Sequence, residues 1–436
     1  MAEATPERSG NRLEDYLVSI DFDTQGVPAE IYISFPKSLT DIEFRKRVVR
    51  MWKCGNNRTY ALAWLLFNKS MPCIFKPRSV SIDYTNDIVK LVAPNGLQYE
   101  VEMDWFKTYD VEEFIRIVSD YCLIVANVTE RPNELVTVEY RPLKAISDVD
   151  TAKELLSKYH PIEILIRGLG YKFEPPIIRI MLPRLIAWFR NGTGRPIHVF
   201  QLTPPNTGKT TYGLRSETLL SFEFLNEVPT LARLVFDSRY NAIGPVFTRN
   251  GIIFDEFDKW SYQKERLQLL FDVLLTGMEQ GKWTRGVSLA NTSLPETQRL
   301  IPFVFLGNLG ILGAVPIQYE RYREYIAKVY TSNLGTDMHP FFDRIAIIDL
   351  CKEAITISDY VTNQYLPDSI LRGVVEVVNE RVRPVTGDFG LSGRLIRHAR
   401  AVYSVLQALG FTPTVERVSE IVLRNVGWED VIQSLE

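Results

Sequence analysis

The chain has 436 residues, enough for two or three domains that each bury a core of their own. A hydrophobic share of 46% and a charged share of 24% belong to a globular protein, and no apolar run reaches the length of about eighteen residues that a membrane span needs. The formal net charge of -3 supplies no overall attraction to nucleic acid, so any such contact has to come from local basic patches.

Met1–Arg12 is polar, lacks the apolar stretch of a secretory signal and reads as a frayed tail, which leaves cytoplasmic residence and no membrane partner as the expectation. Tyr16–Asp23 and Ala29–Phe35 flank Thr24-Gln25-Gly26, and Ile88–Ala93 and Gln98–Met103 flank Pro94-Asn95-Gly96, so two hairpins are predicted. Apolar residues at helical spacing predict helices at Ile42–Lys53, Thr59–Asn68 and Val111–Val125. Residues 1–150 thus read as an α+β domain without a chemical motif. Its structural reading is an oligomerisation module; its functional one is DNA binding, for which Arg45, Lys46, Arg47, Arg50 and Lys53 crowd one helix around Trp52. Cys54, Cys73, Cys122 and Cys351 lie far apart with no metal-ligand spacing, so buried thiols are expected.

After a junction at Asp148–Pro161, apolar positions from Ile162 to Phe189 run at helical period but are broken by Gly168, Gly170, Pro175-Pro176 and Pro183, which predicts two short helices. A short strand, Ile197–Leu202, leads into Thr203-Pro204-Pro205-Asn206-Thr207-Gly208-Lys209-Thr210-Thr211. A phosphate-binding loop needs inward backbone N–H groups at a helix start, a lysine for the β and γ phosphates and a hydroxyl for magnesium. Thr207, Gly208, Lys209, Thr210 and Thr211 supply these, so ATP and Mg2+ are the expected cofactors. Thr203 stands where G-x-x-x-x-G-K-[ST] opens on glycine, and Asn206 can take a positive φ at another position suited to glycine.

The next apolar run, Ile252-Ile253-Phe254, ends in Asp255-Glu256 and reads as a buried parallel strand. Alone it is as well explained by a solvated acidic turn; downstream of the loop, Asp255 is expected in the magnesium shell and Glu256 beside the attacking water. A third strand, Pro302–Leu306, ends in Gly307-Asn308, where Asn308 could orient that water. A fourth, Ile345–Leu350, follows Asp343-Arg344, an arginine read either as a finger for a neighbouring subunit's γ-phosphate or as a surface side chain paired with Asp343. Near the end, Leu391–Leu409 forms an amphipathic helix carrying Arg394 and Arg397. Four strands with intervening helices give an α/β pattern whose strand-end loops converge on one crevice.

The order and spacing of these elements resemble AAA+ ATPases of the clade with a hairpin before sensor one, which includes the minichromosome maintenance helicases. Leu274-Leu275-Thr276-Gly277-Met278-Glu279-Gln280-Gly281-Lys282-Trp283-Thr284-Arg285-Gly286 is similar to their Met-Glu turn and hairpin, and more closely to a segment of the Lon-related ATPase of bacteriophage-exclusion systems. Leu165–Tyr171 and Leu182–Ile186 resemble that ATPase too. The stretch after Leu409 is too short for its protease-like domain, so no protease dyad is expected. The resemblance, from about Pro161 to Leu409, implies an AAA+ P-loop parallel sheet over 151–350 and a helical lid over 351–436. It further implies that Asn308 is sensor one, that Arg344 is the finger, and that Arg394, or else Arg397, is sensor two. The assembly implied is a homo-oligomeric ring, with a hexamer as its model, and Lys282 and Arg285 would contact DNA in the central channel. A DNA translocase or helicase, serving replication of a mobile element or anti-phage defence, a protein remodeller and a non-motor nucleotide switch are the competing functions.

Overall fold

A computed structural model describes residues 12–17, 27, 31, 42–68, 70–83, 86–106, 114, 117–118, 120–128, 134–143, 147–237, 242–283, 298–310, 321–353, 355–362 and 364–435. Helices α1 (Ile42–Asn56) and α2 (Arg58–Phe67) precede strands β1 (Ser70–Phe75), β2 (Ser79–Asp83) and on to β6 (Glu134–Pro142). The Pro94-Asn95-Gly96 hairpin is present: β3 (Ile88–Val92) and β4 (Gln98–Glu102) pair antiparallel, with Val92 opposite Gln98. Of the first predicted hairpin, Tyr16 instead ends a helical turn, Leu13–Tyr16, and most of the remainder lies outside the described residues.

A second expectation is corrected at Cys122–Val128. These residues form strand β5, paired antiparallel with β1 and β6, rather than the end of a helix from Val111. The run Leu123-Ile124-Val125 is apolar and ends in two β-branched residues, and pairing on both sides overrides the helical spacing of its neighbours. The sheet, in order β1-β5-β6-β4-β3-β2-β10-β9, also recruits β9 (Phe236–Asp237) and β10 (Ala242–Ile243), with Ala242 opposite Ser81. A ribbon from beyond the phosphate loop therefore completes the sheet that the first 142 residues begin.

The two short helices before the loop are α3 (Pro161–Gly168) and α4 (Pro175–Ile186). The second sheet is wholly parallel, in order β13-β7-β12-β11-β8. Its strands are β7 (Val199–Thr203), β8 (Phe222–Leu225), β11 (Gly251–Phe254), β12 (Phe303–Asn308) and β13 (Ile347–Leu350), so β8 joins the four foreseen in sequence. Period-two alternation sorts these strands onto two cores. Phe200, Phe254, Phe303 and Phe305 face one cluster with Phe257, Trp260 and Phe341; Val199, Ile253, Val304 and Ile347 face another built on the helices around Leu165, Val374 and Val402. Burial on both faces leaves only the strand ends for chemistry.

Candidate nucleotide site

The predicted phosphate loop leaves the C-terminal end of β7 and runs into α5 (Lys209–Leu220). Asn206 and Gly208 have φ of 63° and 72°, the left-handed region foreseen for Asn206. At Gly208 close packing adds to the requirement, since a Cβ would lie 2.6 Å from Ile357. Thr203 is fully buried in place of the motif's first glycine. Its hydroxyl is 2.6 Å from that of Thr207 and accepts from Lys209 Nζ at 3.2 Å, while Nζ also donates to Pro204 O at 3.0 Å. The departure from the motif thus becomes a rest for the lysine. Burial first, then the neighbouring charge of Arg184, push the Lys209 ammonium down to about 8.

Parallel pairing brings the other strand ends to the same edge. Thr210 Oγ1 lies 3.4 Å from Asp255 Oδ2, so the hydroxyl and carboxylate predicted for magnesium meet. Burial raises the Asp255 pKa, outweighing the hydrogen bond from Glu256 N and the charge of Lys209, which lower it. Among the described residues no three His, Cys, Asp or Glu side chains converge as a metal site. Glu256 follows with φ 55°, an unusual conformation for a non-glycine residue, and its carboxylate is ion-paired with Lys259. Asn308 pairs in register with Thr203, which sets it beside the loop. Asp258, which the sequence reading passed over, fixes that end of β12 by accepting from Asn308 N at 2.9 Å.

Beneath the loop lies a buried polar network that sequence reasoning also missed. Arg184, fully buried, donates to Thr207 O at 2.8 Å and to the Gln201 side chain; Gln201 Nε2 donates to Asp349 at 2.7 Å, and Asp349 is held by Arg179 at 2.9 Å. Burial pushes the Arg184 guanidinium down to about 10. An arginine inside the apolar run Ile177–Ile186 is the signal that could have found it.

Arg344 and Arg394 stand elsewhere. Arg344 precedes β13, on the opposite edge of the sheet from the loop: Ala346 N bonds His198 O, one residue before β7 begins. Five residues of strand, roughly 17 Å, separate that level from Thr203. Arg344 Nε donates to Leu275 O at 2.9 Å and its NH1 to Pro340 O at 2.6 Å. The alternative of an Arg344–Asp343 pair is corrected: Asp343 binds Arg394, from helix α8 (Gly393–Ala408), which in turn lies 3.0 Å from Glu279. This helix comes after α6 (Lys264–Gln280) and α7 (Tyr322–Leu334). Arg344 and Arg397 also approach Glu279, at 3.8 and 3.4 Å. They line a cavity of about 370 Å³ with Arg195 and Arg400. His198 and His398 beside it are driven by burial down to about 4 and about 3, so both are neutral there. Within one chain, then, Lys209, Thr210, Asp255, Glu256 and Asn308 share one edge, and Arg344 and Arg394 share the other.

Lys282 is exposed, two residues beyond α6; Arg285 lies outside the described residues. Arg45, Lys46, Arg47 and Arg50 are exposed on α1, where Lys46 pairs with Glu43. All four cysteines are buried free thiols, and among the described residues no helix is long and apolar enough to cross a membrane.

No protein-family profile matches the chain. It is 29% identical over 423 residues to the uncharacterised ORF425 of Acidianus filamentous virus 2, covering 91% of this chain and 95% of that protein. It is also 29% identical over 420 residues to ORF426 of Acidianus filamentous virus 1, with the same coverage, and 29% identical over 386 residues to protein 440 of Sulfolobus islandicus rod-shaped virus 1, covering 85% of each. Both of these are likewise uncharacterised. A solved full-length MCM homologue from Methanopyrus kandleri is similar with a TM-score of 0.43 and 11% identity, over 82% of this chain and 78% of that one. These comparisons lend no support to the closer likeness to the Lon-related ATPase.

Proposed function

We propose that the chain is a magnesium-dependent P-loop ATPase of the AAA+ class that assembles into a six-membered ring and couples ATP hydrolysis to translocation along DNA or its unwinding. The observation that carries this reading is the division of the candidate set between two edges of one parallel sheet. Lys209, with the backbone N–H groups of Thr207, Gly208, Thr210 and Thr211, would bind the phosphates, and Thr210 and Asp255 would hold magnesium, which neutralises charge on the β and γ phosphates when bound. Glu256, released from Lys259, accepts a proton from the water that Asn308 orients; the water oxygen bonds to the γ-phosphorus as the bond to the β–γ bridging oxygen breaks, leaving ADP and phosphate. Arg344 and Arg394 of the next copy would meet the charge that builds on the γ-phosphate.

Lys282 and Arg285 are the proposed channel contacts, binding phosphates without reading bases. Relatives encoded by filamentous and rod-shaped viruses favour replication of a mobile element over anti-phage defence as the setting. The test measures ATP turnover of the assembled protein alone, with DNA of unrelated sequences and with an unfolded protein. Stimulation by DNA of any sequence is expected. Stimulation by unfolded protein only would overturn the reading in favour of a remodeller, and indifference to both would favour a nucleotide switch.

A further inference from the structure

Glu279 occupies the last turn of α6, where the negative end of the helix dipole disfavours a carboxylate. It is held there by Arg394 at 3.0 Å, Arg397 at 3.4 Å and Arg344 at 3.8 Å. Arg344 grips the same turn a second time, through Leu275 O. Two residues after Glu279, the carbonyl of Gly281 accepts from Arg299 N at 2.9 Å, and Trp283 Nε1 donates to Arg299 O at 2.9 Å. The Trp283 ring packs back onto α6 so closely that a Cβ on Gly277 would lie 2.1 Å from it. Lys282 therefore projects from a neck, closed by the contacts of Gly281 and Trp283 with Arg299, that directly follows the turn the arginines hold.

We propose that Glu279 is a positioning residue that links the arginine cluster to the Lys282 segment, so that nucleotide in a neighbouring copy and DNA on this one act on each other through it. The inference rests on the ring reading above. The cavity beside the cluster is lined by Arg195, Arg344, Arg394, Arg397 and Arg400 against Glu279, a charge balance suited to a phosphate tail. A γ-phosphate entering it competes with Glu279 for the same guanidinium N–H groups. As the arginines turn to the phosphate, the last turn of α6 loses the charges that neutralise it, and the neck bearing Lys282 is freed to shift. Coupling of binding free energies is reciprocal, so DNA fixing Lys282 also biases the arginines.

The test uses hydrogen exchange across residues 275–283 and DNA affinity, each with and without a slowly hydrolysed ATP analogue, in wild type, Glu279→Gln and Arg397→Gln; Arg397 is half exposed, so its variant keeps the test alive should Glu279→Gln fold poorly. In wild-type rings the analogue is expected to speed exchange at Glu279–Trp283 and to change DNA affinity by about tenfold. Glu279→Gln should exchange fast at the outset and show less than about a twofold affinity change while still binding the analogue, and Arg397→Gln should fall between. Exchange indifferent to bound analogue in wild type, or a wild-type response in both variants, overturns the proposal. An intact exchange response in a protein that binds no DNA overturns the DNA reading and leaves the Glu279 link standing.

Discussion

Lys209 is an ammonium held in a place that disfavours its charge, and replacing it isolates that cost. Its pKa falls from the ordinary 10.5 to about 8, first through burial and then through Arg184, with Asp255 and Asp258 pulling weakly the other way. Converted at 1.36 kcal/mol per pH unit, the displacement sets a ceiling of about 3 kcal/mol; the ammonium is partly open to water, so about 1 kcal/mol is the expected effect. The sign follows from linkage. Below pH 8 both folded and unfolded chains carry the proton and the full penalty applies; between about 8 and 10.5 the folded chain releases it first, so stability rises with pH across that window. Lys209→Met removes the titration. The hydrogen bonds to Thr203 and Pro204 are lost at every pH, so the informative quantity is how the stability difference between the two proteins changes. Urea denaturation without nucleotide at pH 7, 8.5 and 10 should show wild type gaining about 1 kcal/mol on the variant. Parallel curves over that range would refute the account of Lys209, whatever the variant does to ATP binding, which titration calorimetry should find abolished.

Arg184→Ala removes the guanidinium that donates to the Thr207 carbonyl and to Gln201 Oε1 in a fully buried site, so denaturation should show a loss of about 3–5 kcal/mol, accompanied by weaker nucleotide binding. Glu256→Gln should bind ATP as wild type does but turn it over at least about a hundredfold more slowly in single-turnover assays; wild-type turnover would remove Glu256 from the reaction. Mixing inactive Arg344→Ala with inactive Lys209→Ala protein should restore part of the ATPase activity, because some contacts in mixed rings then combine an intact loop with an intact arginine. No recovery at any ratio, with mixed assembly demonstrated, counts against a shared site.

What the sequence discloses depends on how local the determining interaction is. The parallel strands β7, β11, β12 and β13 were legible because burial on both faces demands unbroken apolar runs. Strand β8, Phe-Glu-Phe-Leu, was missed: it is four residues long and carries Glu223, whose charge is met in the fold by Arg249. Two-residue strands such as β9 and β10 carry no periodicity at all; their place beside β2 is a tertiary fact. The same division runs through the site. Thr210 and Asp255 could be paired from motif order, since parallel topology puts successive strand ends together. Arg184, Asp258 and Glu279 act on groups reached across the fold, and the partner of Asp343 proved to be Arg394, 51 residues away, rather than the adjacent arginine.

The sheet's geometry also limits how the candidate groups can serve one reaction. Parallel strands present their C-terminal ends on one edge, where Lys209, Asp255 and Asn308 stand, and their N-terminal ends on the other, where Arg344 and Arg394 stand. Both faces of the sheet are filled by packed side chains, so hinging within it cannot bring the edges together at tolerable cost. If the arginines act on ATP at all, they act on ATP bound by another copy. A contact that sets one edge against the opposite edge of an identical neighbour is head-to-tail rather than two-fold, and each such contact leaves a free edge at both ends of the assembly. The repeat either closes into a ring, completing every site, or grows as a helical filament. Closure is therefore the arrangement that uses every arginine and every loop.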